Sequence, residues 1–136
     1  MGLDKKLIQL RIDIIERNLK EIEKIVKSKK LSYRDELALK HALLECIEAC
    51  VDISNHIIST FGFRRPVDYK DVFAVLEENK LISKKFAERL MNMAKFRHVL
   101  VHPYAFVNRN KILEISRRDI KDVKKFVEIV LKLIKK

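Results

Sequence analysis

The amino-acid sequence predicts an all-α protein, an up-down bundle of four to five helices folded as a single domain over residues 1–136. Apolar residues recur in alternating steps of three and four along most of the chain, which is the spacing of one face of an α-helix. Only two glycines and two prolines interrupt the chain, and the one candidate strand is a short piece at residues 105–107. A chain of this length has room for one modest core.

The first two helices are predicted to be long and amphipathic. Residues 7–29 form the first helix. Ser32 followed by Asp35 resembles a capping box and starts the second. Gly62 suits a helix C-terminus and Pro66 a stop, so the second helix should end just before them. The two apolar stripes comprise Ile8, Ile12, Ile15, Leu19, Ile22 and Val26, and then Leu39, Leu43, Cys46, Cys50, Ile53 and Ile57.

Three shorter helices are predicted in the second half of the chain. Residues 68–78 form a short helix, and Ser83 caps a fourth helix that ends before Pro103, because a proline restricts the residue before it to non-helical geometry. Ser116 with Asp119 is expected to open the last helix. The fourth helix is apolar over most of its surface, so we expect its own chain or a partner to cover it.

The composition favours a polyanionic partner and an intracellular location. With 30 basic and 19 acidic residues the net charge is +11, which suits phosphate contacts, although a lysine-rich surface of a heat-adapted protein has the same balance. We expect a cytoplasmic protein, because the sequence has no signal-peptide pattern and no apolar run that could cross a membrane. Cys46 and Cys50 are spaced as buried thiols, and not as a CxxC redox pair or a zinc site.

Two side chains near the end of the fourth helix stand out chemically. Arg97 lies on the apolar side of that helix, where a guanidinium needs either a carboxylate, such as Glu48 or Asp52 of the second helix, or an anion. His102 precedes the break at Pro103 and is placed to face a cleft as a proton carrier, or alternatively to pack as a structural histidine. The two residues are about 140° apart on an ideal helix, so they converge only through the break or across a dimer.

Residues 97–104, with the sequence RHVLVHPY, resemble the signature of the HEPN superfamily: an arginine, a polar residue, three further residues and a histidine. Because a tyrosine follows two positions after the histidine, the segment more narrowly resembles the HepT branch of that superfamily. Arg97, His98, His102 and Tyr104 each match their place in this pattern, although asparagine is commoner than histidine at position 98.

Two upstream segments extend the resemblance over residues 5–133. Residues 52–58, DISNHII, resemble the second-helix segment typical of the HepT branch. Residues 66–73, PVDYKDVF, resemble the loop and short helix that follow it. The resemblance therefore covers nearly the whole chain.

The resemblance implies a homodimeric ribonuclease toxin that needs neither metal nor cofactor. Its RNA substrate would be cut by attack of a 2′-hydroxyl on the adjacent phosphate, with His102 of each subunit exchanging protons and Arg97 binding the phosphate. It also implies a partner, an MntA-like nucleotidyltransferase antitoxin, which attaches AMP to Tyr104 and silences the ribonuclease. From the residues alone, Tyr104 is better explained as an aromatic packed at a helix terminus.

Several alternatives remain open at this point. Asp52 and His56 lie one helical turn apart and are expected either to orient Arg97 or His102, or to form a buried polar pair. His98 and His102, with Asp52 and His56, could ligate a metal, although no HExxH pattern or Cys/His cluster accompanies them. The protein could also be a non-catalytic helical partner of a nucleotidyltransferase, or a plain nucleic-acid-binding protein.

Overall fold

Five α-helices follow one another in the computed structural model, which describes residues 2–102 and 108–135. They are α1 (Lys5–Lys27), α2 (Tyr33–Phe61), α3 (Asp71–Glu78), α4 (Lys84–Val101) and α5 (Arg109–Ile134). These two ranges contain no β-strand, which confirms the all-α fold predicted from the sequence. The candidate strand at residues 105–107 lies outside the described residues.

Helix α1 is held at its start by a side-chain cap and along its length by its apolar stripe. The Asp4 carboxylate accepts a hydrogen bond from the Leu7 backbone N–H at 3.1 Å, satisfying a donor that the helix itself cannot. Five of the six residues predicted for this stripe are buried. The exception is Val26, and in the final turn Ile25 is buried instead.

Helix α2 begins and ends where the sequence indicated. The Ser32 hydroxyl accepts from the Asp35 N–H, and the Asp35 carboxylate accepts from the Ser32 N–H, both at 3.0 Å, which is a complete capping box. Gly62 ends the helix at φ 70°, a left-handed conformation that other residues rarely adopt. Cys46 and Cys50 are buried free thiols, as predicted, and burial raises the pKa of Cys46 to about 12.

The boundaries of α3 and α4 are set by side-chain hydrogen bonds. Helix α3 starts at Asp71 and not at position 68, because the Asp68 carboxylate lies outside the helix and accepts from the Asp71 N–H at 2.9 Å. Ser83 caps α4 by accepting from the Phe86 N–H at 3.2 Å, as the sequence predicted. Helix α4 stops at Val101, just before the restricted position ahead of the proline.

The prediction that Ser116 and Asp119 open the last helix is wrong. Helix α5 begins at Arg109, and its cap is Asn108, whose side chain accepts from the Asn110 N–H at 2.7 Å. Ser116 is buried within the helix and donates its hydroxyl to the Ile112 carbonyl at 2.6 Å. Asp119 is likewise buried one turn further on.

Helix α2 is the centre of the bundle and contacts the other four helices. Helices α1 and α5 pack beside it, while α3 and α4 pack against each other on the remaining side. An edge-to-face pair between Phe73 of α3 and Phe126 of α5, with ring centres 6.0 Å apart, joins the two sides through the core. None of the helices in the described residues is long and apolar enough to span a bilayer.

Candidate active site

An open cavity of about 340 Å³ lies at the C-terminal end of α4 and beside the loop that leads into α3. It contains both residues that the sequence singled out, Arg97 and His102, together with His98. The full lining is Asp68, Tyr69, Lys70, Ala94, Lys95, Arg97, His98, Val101 and His102. The Arg–His pair therefore faces one space within a single chain.

The end of α4 explains how two residues on different faces of a helix reach the same cavity. His102 has left the helix, with φ −94° and ψ 115°, and only its N–H still donates to the His98 carbonyl at 3.2 Å. An ideal helix would keep its side chain about 140° from that of Arg97. Because the N–H of His102 keeps its helical hydrogen bond, its side chain stays near this position beside His98. The cavity reaches both residues because it extends over the face of α4 between them, where His98 lies.

Arg97 is partly buried and its guanidinium lies over an aromatic ring. Its Cζ is 4.6 Å from the centre of the Tyr69 ring, within the range of a cation–π interaction. The Nε atom is buried and has no hydrogen-bond partner among the described residues. The expected ion pair with Glu48 or Asp52 is not formed in the described part of the chain, where Asp52 pairs with Arg11 at 3.4 Å instead.

His98 and His102 lie side by side at the rim of the cavity, with ring centres 4.0 Å apart. Both side chains are exposed. Their spacing of four places them on one side of α4, and the two imidazoles therefore approach a bound molecule from the same direction.

No role was predicted for Tyr69, whose ring lies beneath the guanidinium of Arg97. Its loop is held by Arg64, whose guanidinium donates to both carboxylate oxygens of Asp71, at 2.7 and 3.2 Å, and to Glu78. Asp71 also accepts from the Val67 N–H at 2.9 Å. Burial raises the pKa of the Tyr69 hydroxyl well above its ordinary value, so the ring stays neutral. An aromatic residue in a loop carries no sequence signal for such a contact.

The charged groups at the mouth of the cavity are mainly basic. Lys70 and Lys95 join Arg97 in the lining. The Lys70 ammonium pairs with Asp68 at 2.8 Å, and this contact lowers the pKa of the Asp68 carboxyl. Lys95 is exposed and forms no salt bridge with the described residues. The cavity therefore suits an anion.

Neither expectation for Asp52 and His56 holds in the structure. Asp52 is exposed and pairs with Arg11 on α1, so it is no part of a buried polar pair. The His56 Nε2 atom accepts from the Asp4 backbone N–H at 3.0 Å. Both line a separate cavity of about 250 Å³ between α1 and α2, and within the described ranges neither forms a hydrogen bond or an ion pair with Arg97 or His102. Helical spacing correctly placed Asp52 and His56 on one face of α2, but it did not show that this face packs against α1.

The metal-binding alternative needed His98 and His102 to meet Asp52 and His56, and the two pairs line different cavities. Over residues 2–102 and 108–135 no group of three or more His, Cys, Asp or Glu side chains is arranged to hold a metal ion. Tyr104, the expected modification site, lies outside the described residues.

The five-helix bundle and the open, basic cavity shared by Arg97 and His102 agree with the HEPN resemblance of residues 97–104. The sequence profile described as "Ribonuclease HepT-like" matches residues 12–130. The chain belongs to this family.

Named relatives and solved structures agree with this assignment. The chain is 25% identical over 124 residues to the mRNA nuclease HepT of Shewanella oneidensis, covering 88% of this chain and 92% of the relative. It is 25% identical over 115 residues to the tRNA nuclease HepT of Aphanizomenon flos-aquae, covering 82% and 78%. A structure of a tri-AMPylated Shewanella oneidensis HEPN toxin in complex with MNT antitoxin superposes with a TM-score of 0.86, at 25% identity and over 93% of this chain and 97% of that one.

Proposed function

We propose that this protein is the toxin of a toxin–antitoxin pair and acts as a metal-independent endoribonuclease. The observation that carries the proposal is the convergence of Arg97 and His102 on one open, basic cavity. The family membership and the relatives named as mRNA and tRNA nucleases support RNA as the substrate. We place the reaction in the cytoplasm, where such RNA is found.

The proposed reaction is an internal transfer at a phosphodiester bond. A base takes the proton of the 2′-hydroxyl, and the 2′-oxygen then attacks the adjacent phosphorus. An acid gives a proton to the departing 5′-oxygen of the next nucleotide, leaving a 2′,3′-cyclic phosphate and a 5′-hydroxyl. The guanidinium of Arg97 stabilises the extra negative charge on the phosphorus centre in the transition state.

We propose that the complete site is formed by a homodimer. The base and the acid act on opposite sides of the phosphorus, so one His102 cannot serve as both. His98 cannot supply the second group, because its ring is only 4.0 Å from that of His102 and on the same side. The last turns of α4 leave Phe96, Val99 and Leu100 partly exposed and Val101 exposed, an apolar surface beside the cavity that suits a second copy of the chain.

We propose that the partner is an MntA-like nucleotidyltransferase that silences the toxin by attaching AMP to Tyr104. The AMPylated toxin–antitoxin complex from Shewanella oneidensis supports this proposal by similarity. Tyr104 follows His102 by two positions in the sequence. A phosphate attached there would compete with the RNA phosphate for Arg97 and repel the RNA backbone.

The test is to map the products of RNA cleavage in excess EDTA. A short RNA is compared with the same oligonucleotide carrying a single 2′-deoxy nucleotide on the 5′ side of the cut. We expect cleavage of the RNA with 2′,3′-cyclic phosphate ends, and no cleavage at the 2′-deoxy position, because the attacking hydroxyl is missing. If protein shown by mass to be free of AMP leaves the RNA intact, the ribonuclease proposal is wrong and a non-catalytic partner subunit becomes the better account.

A further inference from the structure

The guanidinium of Arg97 is held by an aromatic ring and not by a carboxylate. We propose that Tyr69 is a positioning residue for the reaction: its ring fixes Arg97 facing the cavity while leaving the positive charge of the guanidinium free for the RNA phosphate. The proposal rests on the proposed ribonuclease function. Its central observation is the 4.6 Å distance from Arg97 Cζ to the centre of the Tyr69 ring.

A ring and a carboxylate would hold the arginine with different consequences. A carboxylate would take up the N–H donors in a bidentate pair and cancel most of the charge that a phosphate needs. The face of an aromatic ring attracts the cation through its quadrupole and accepts none of its in-plane donors. An arginine over a ring is therefore oriented yet still able to bind an anion.

Carboxylates are available nearby, but they do not reach Arg97. Glu48 and Asp52 of α2 lie close enough to Tyr69 to contribute to the raised pKa of its hydroxyl. Neither forms a salt bridge with Arg97 in the described residues. The guanidinium therefore lies against the Tyr69 ring and not against a carboxylate of α2, and the Nε atom of Arg97 is buried without a hydrogen-bond partner among the described residues.

The backbone that carries Tyr69 is anchored on both sides. Before it, Val67 donates its N–H to the buried carboxylate of Asp71, which Arg64 also binds. After it, the N–H of Asp71 donates to the Asp68 carboxylate, and the Lys70 ammonium pairs with the same carboxylate. These contacts hold the loop that carries Tyr69 in place, which a positioning role requires.

The kinetic test compares Tyr69→Leu, Tyr69→Phe and the surface control Tyr33→Leu in single-turnover RNA cleavage. We expect Tyr69→Leu to lower the rate constant by about 3- to 30-fold, the range that a cation–π contact represents, at an unchanged reaction amplitude. Tyr69→Phe keeps the ring and should recover most of the rate. Tyr33 is exposed at the start of α2, and its replacement should leave the rate unaltered.

A purely structural role for Tyr69 gives a different result. With enzyme in saturating excess over RNA, partial unfolding leaves the rate constant unchanged, because that constant does not depend on how many molecules are active, and it is detected instead as a loss of helical signal in circular dichroism. That outcome, or a Tyr69→Leu rate equal to the wild-type rate, would overturn the inference. Absence of cleavage by the wild-type protein would instead overturn the proposed function.

A binding measurement tests the inference even without turnover. Anisotropy titrations with RNA made uncleavable by a 2′-deoxy substitution are run on the wild type, Tyr69→Leu, Arg97→Met and the double variant. We expect Tyr69→Leu to weaken binding about 3- to 30-fold when Arg97 is present and hardly at all in the Arg97→Met background. Equal losses in both backgrounds would show that Tyr69 does not act through Arg97.

Discussion

The imidazole rings of His98 and His102 lie with their centres 4.0 Å apart at the end of α4, although only His98 belongs to the helix. His102 already has an extended backbone. Because the rings share one side of the cavity, they cannot act as opposed acid and base in an in-line displacement. In the proposed mechanism His102, the histidine of the arginine–histidine pattern, carries the proton transfers, and His98 has only a supporting place.

Replacing His98 by asparagine should have little effect on RNA cleavage. Asparagine preserves a polar side chain at the same exposed helical position, so we expect a rate within about threefold of the wild type, a change of under 1 kcal/mol in activation free energy. The rate is measured in single turnover with His102→Asn as the matched comparison. A loss for His98→Asn as large as that for His102→Asn would contradict the assignment of roles.

Replacing Arg64 by methionine should destabilise the loop between α2 and α3. The guanidinium binds both Asp71, which is buried, and Glu78, and removing it leaves the Asp71 carboxylate without its counter-charge. We expect the melting temperature to fall by several degrees, and RNA cleavage to decrease because the same loop carries Tyr69.

Arg65→Met is the control for this prediction, since Arg65 is exposed and forms no salt bridge with the described residues. Its melting temperature should match that of the wild type. Equal melting temperatures for the two variants would show that the Arg64 contacts do not stabilise the loop.

Replacing Asp119 by asparagine should stabilise the protein, and more so as the pH rises. Burial raises the pKa of Asp119 from 3.8 to about 7, and its Oδ2 has no hydrogen-bond partner among the described residues. Between these two pH values the unfolded chain loses the proton while the folded chain keeps it. Ionisation therefore stabilises the unfolded state, and the contribution of Asp119 to stability falls across this window and stays at its lowest above it.

Urea unfolding at a series of pH values checks the prediction. We expect the Asp119→Asn variant to gain about 2 to 4 kcal/mol near pH 8 and almost nothing near pH 4. The control is Asp122→Asn, which removes the partner of Arg89 and should lower the stability. A gain for Asp119→Asn that does not depend on pH would show that Asp119 is ionised throughout.

Tyr104→Phe should prevent silencing by the antitoxin while leaving the ribonuclease intact. The phenylalanine retains the aromatic ring but lacks the oxygen that would form the bond to AMP. Wild type and variant are incubated with the cognate nucleotidyltransferase and ATP, and intact mass and RNA cleavage are measured. We expect AMP adducts and loss of cleavage only for the wild type. AMP attached to the Tyr104→Phe protein would contradict the proposed modification site.

Local sequence patterns predicted most of the helices because local interactions determine their ends. The Ser32–Asp35 capping box, the Ser83 cap and the left-handed Gly62 each act within a few residues. The same kind of pattern failed for α5. A serine followed by an aspartate also occurs inside helices, where the serine hydroxyl bonds the carbonyl four residues back, as Ser116 does.

The part of the site that comes from one short segment could be predicted from the sequence. The contacts between residues from distant segments could not. Arg97 and His102 lie within one helix end, and the proline after it indicated where the backbone would turn. Tyr69 comes from a different part of the chain, and its contact with Arg97 depends on the path of the loop before α3. Asp52 and His56 share the face that helical spacing predicts, but that face meets α1 and not the cavity.

The decisive experiment for the proposed ribonuclease is RNA cleavage by the His102→Ala variant in excess EDTA. The control is His41→Ala, since His41 is an exposed histidine of α2 that pairs only with Glu45 among the described residues. We predict that the His41→Ala protein cuts RNA at the wild-type rate and leaves 2′,3′-cyclic phosphate ends, and that the folded His102→Ala protein leaves the RNA uncut. Cleavage by His102→Ala at the wild-type rate would show that His102 takes no part in the reaction.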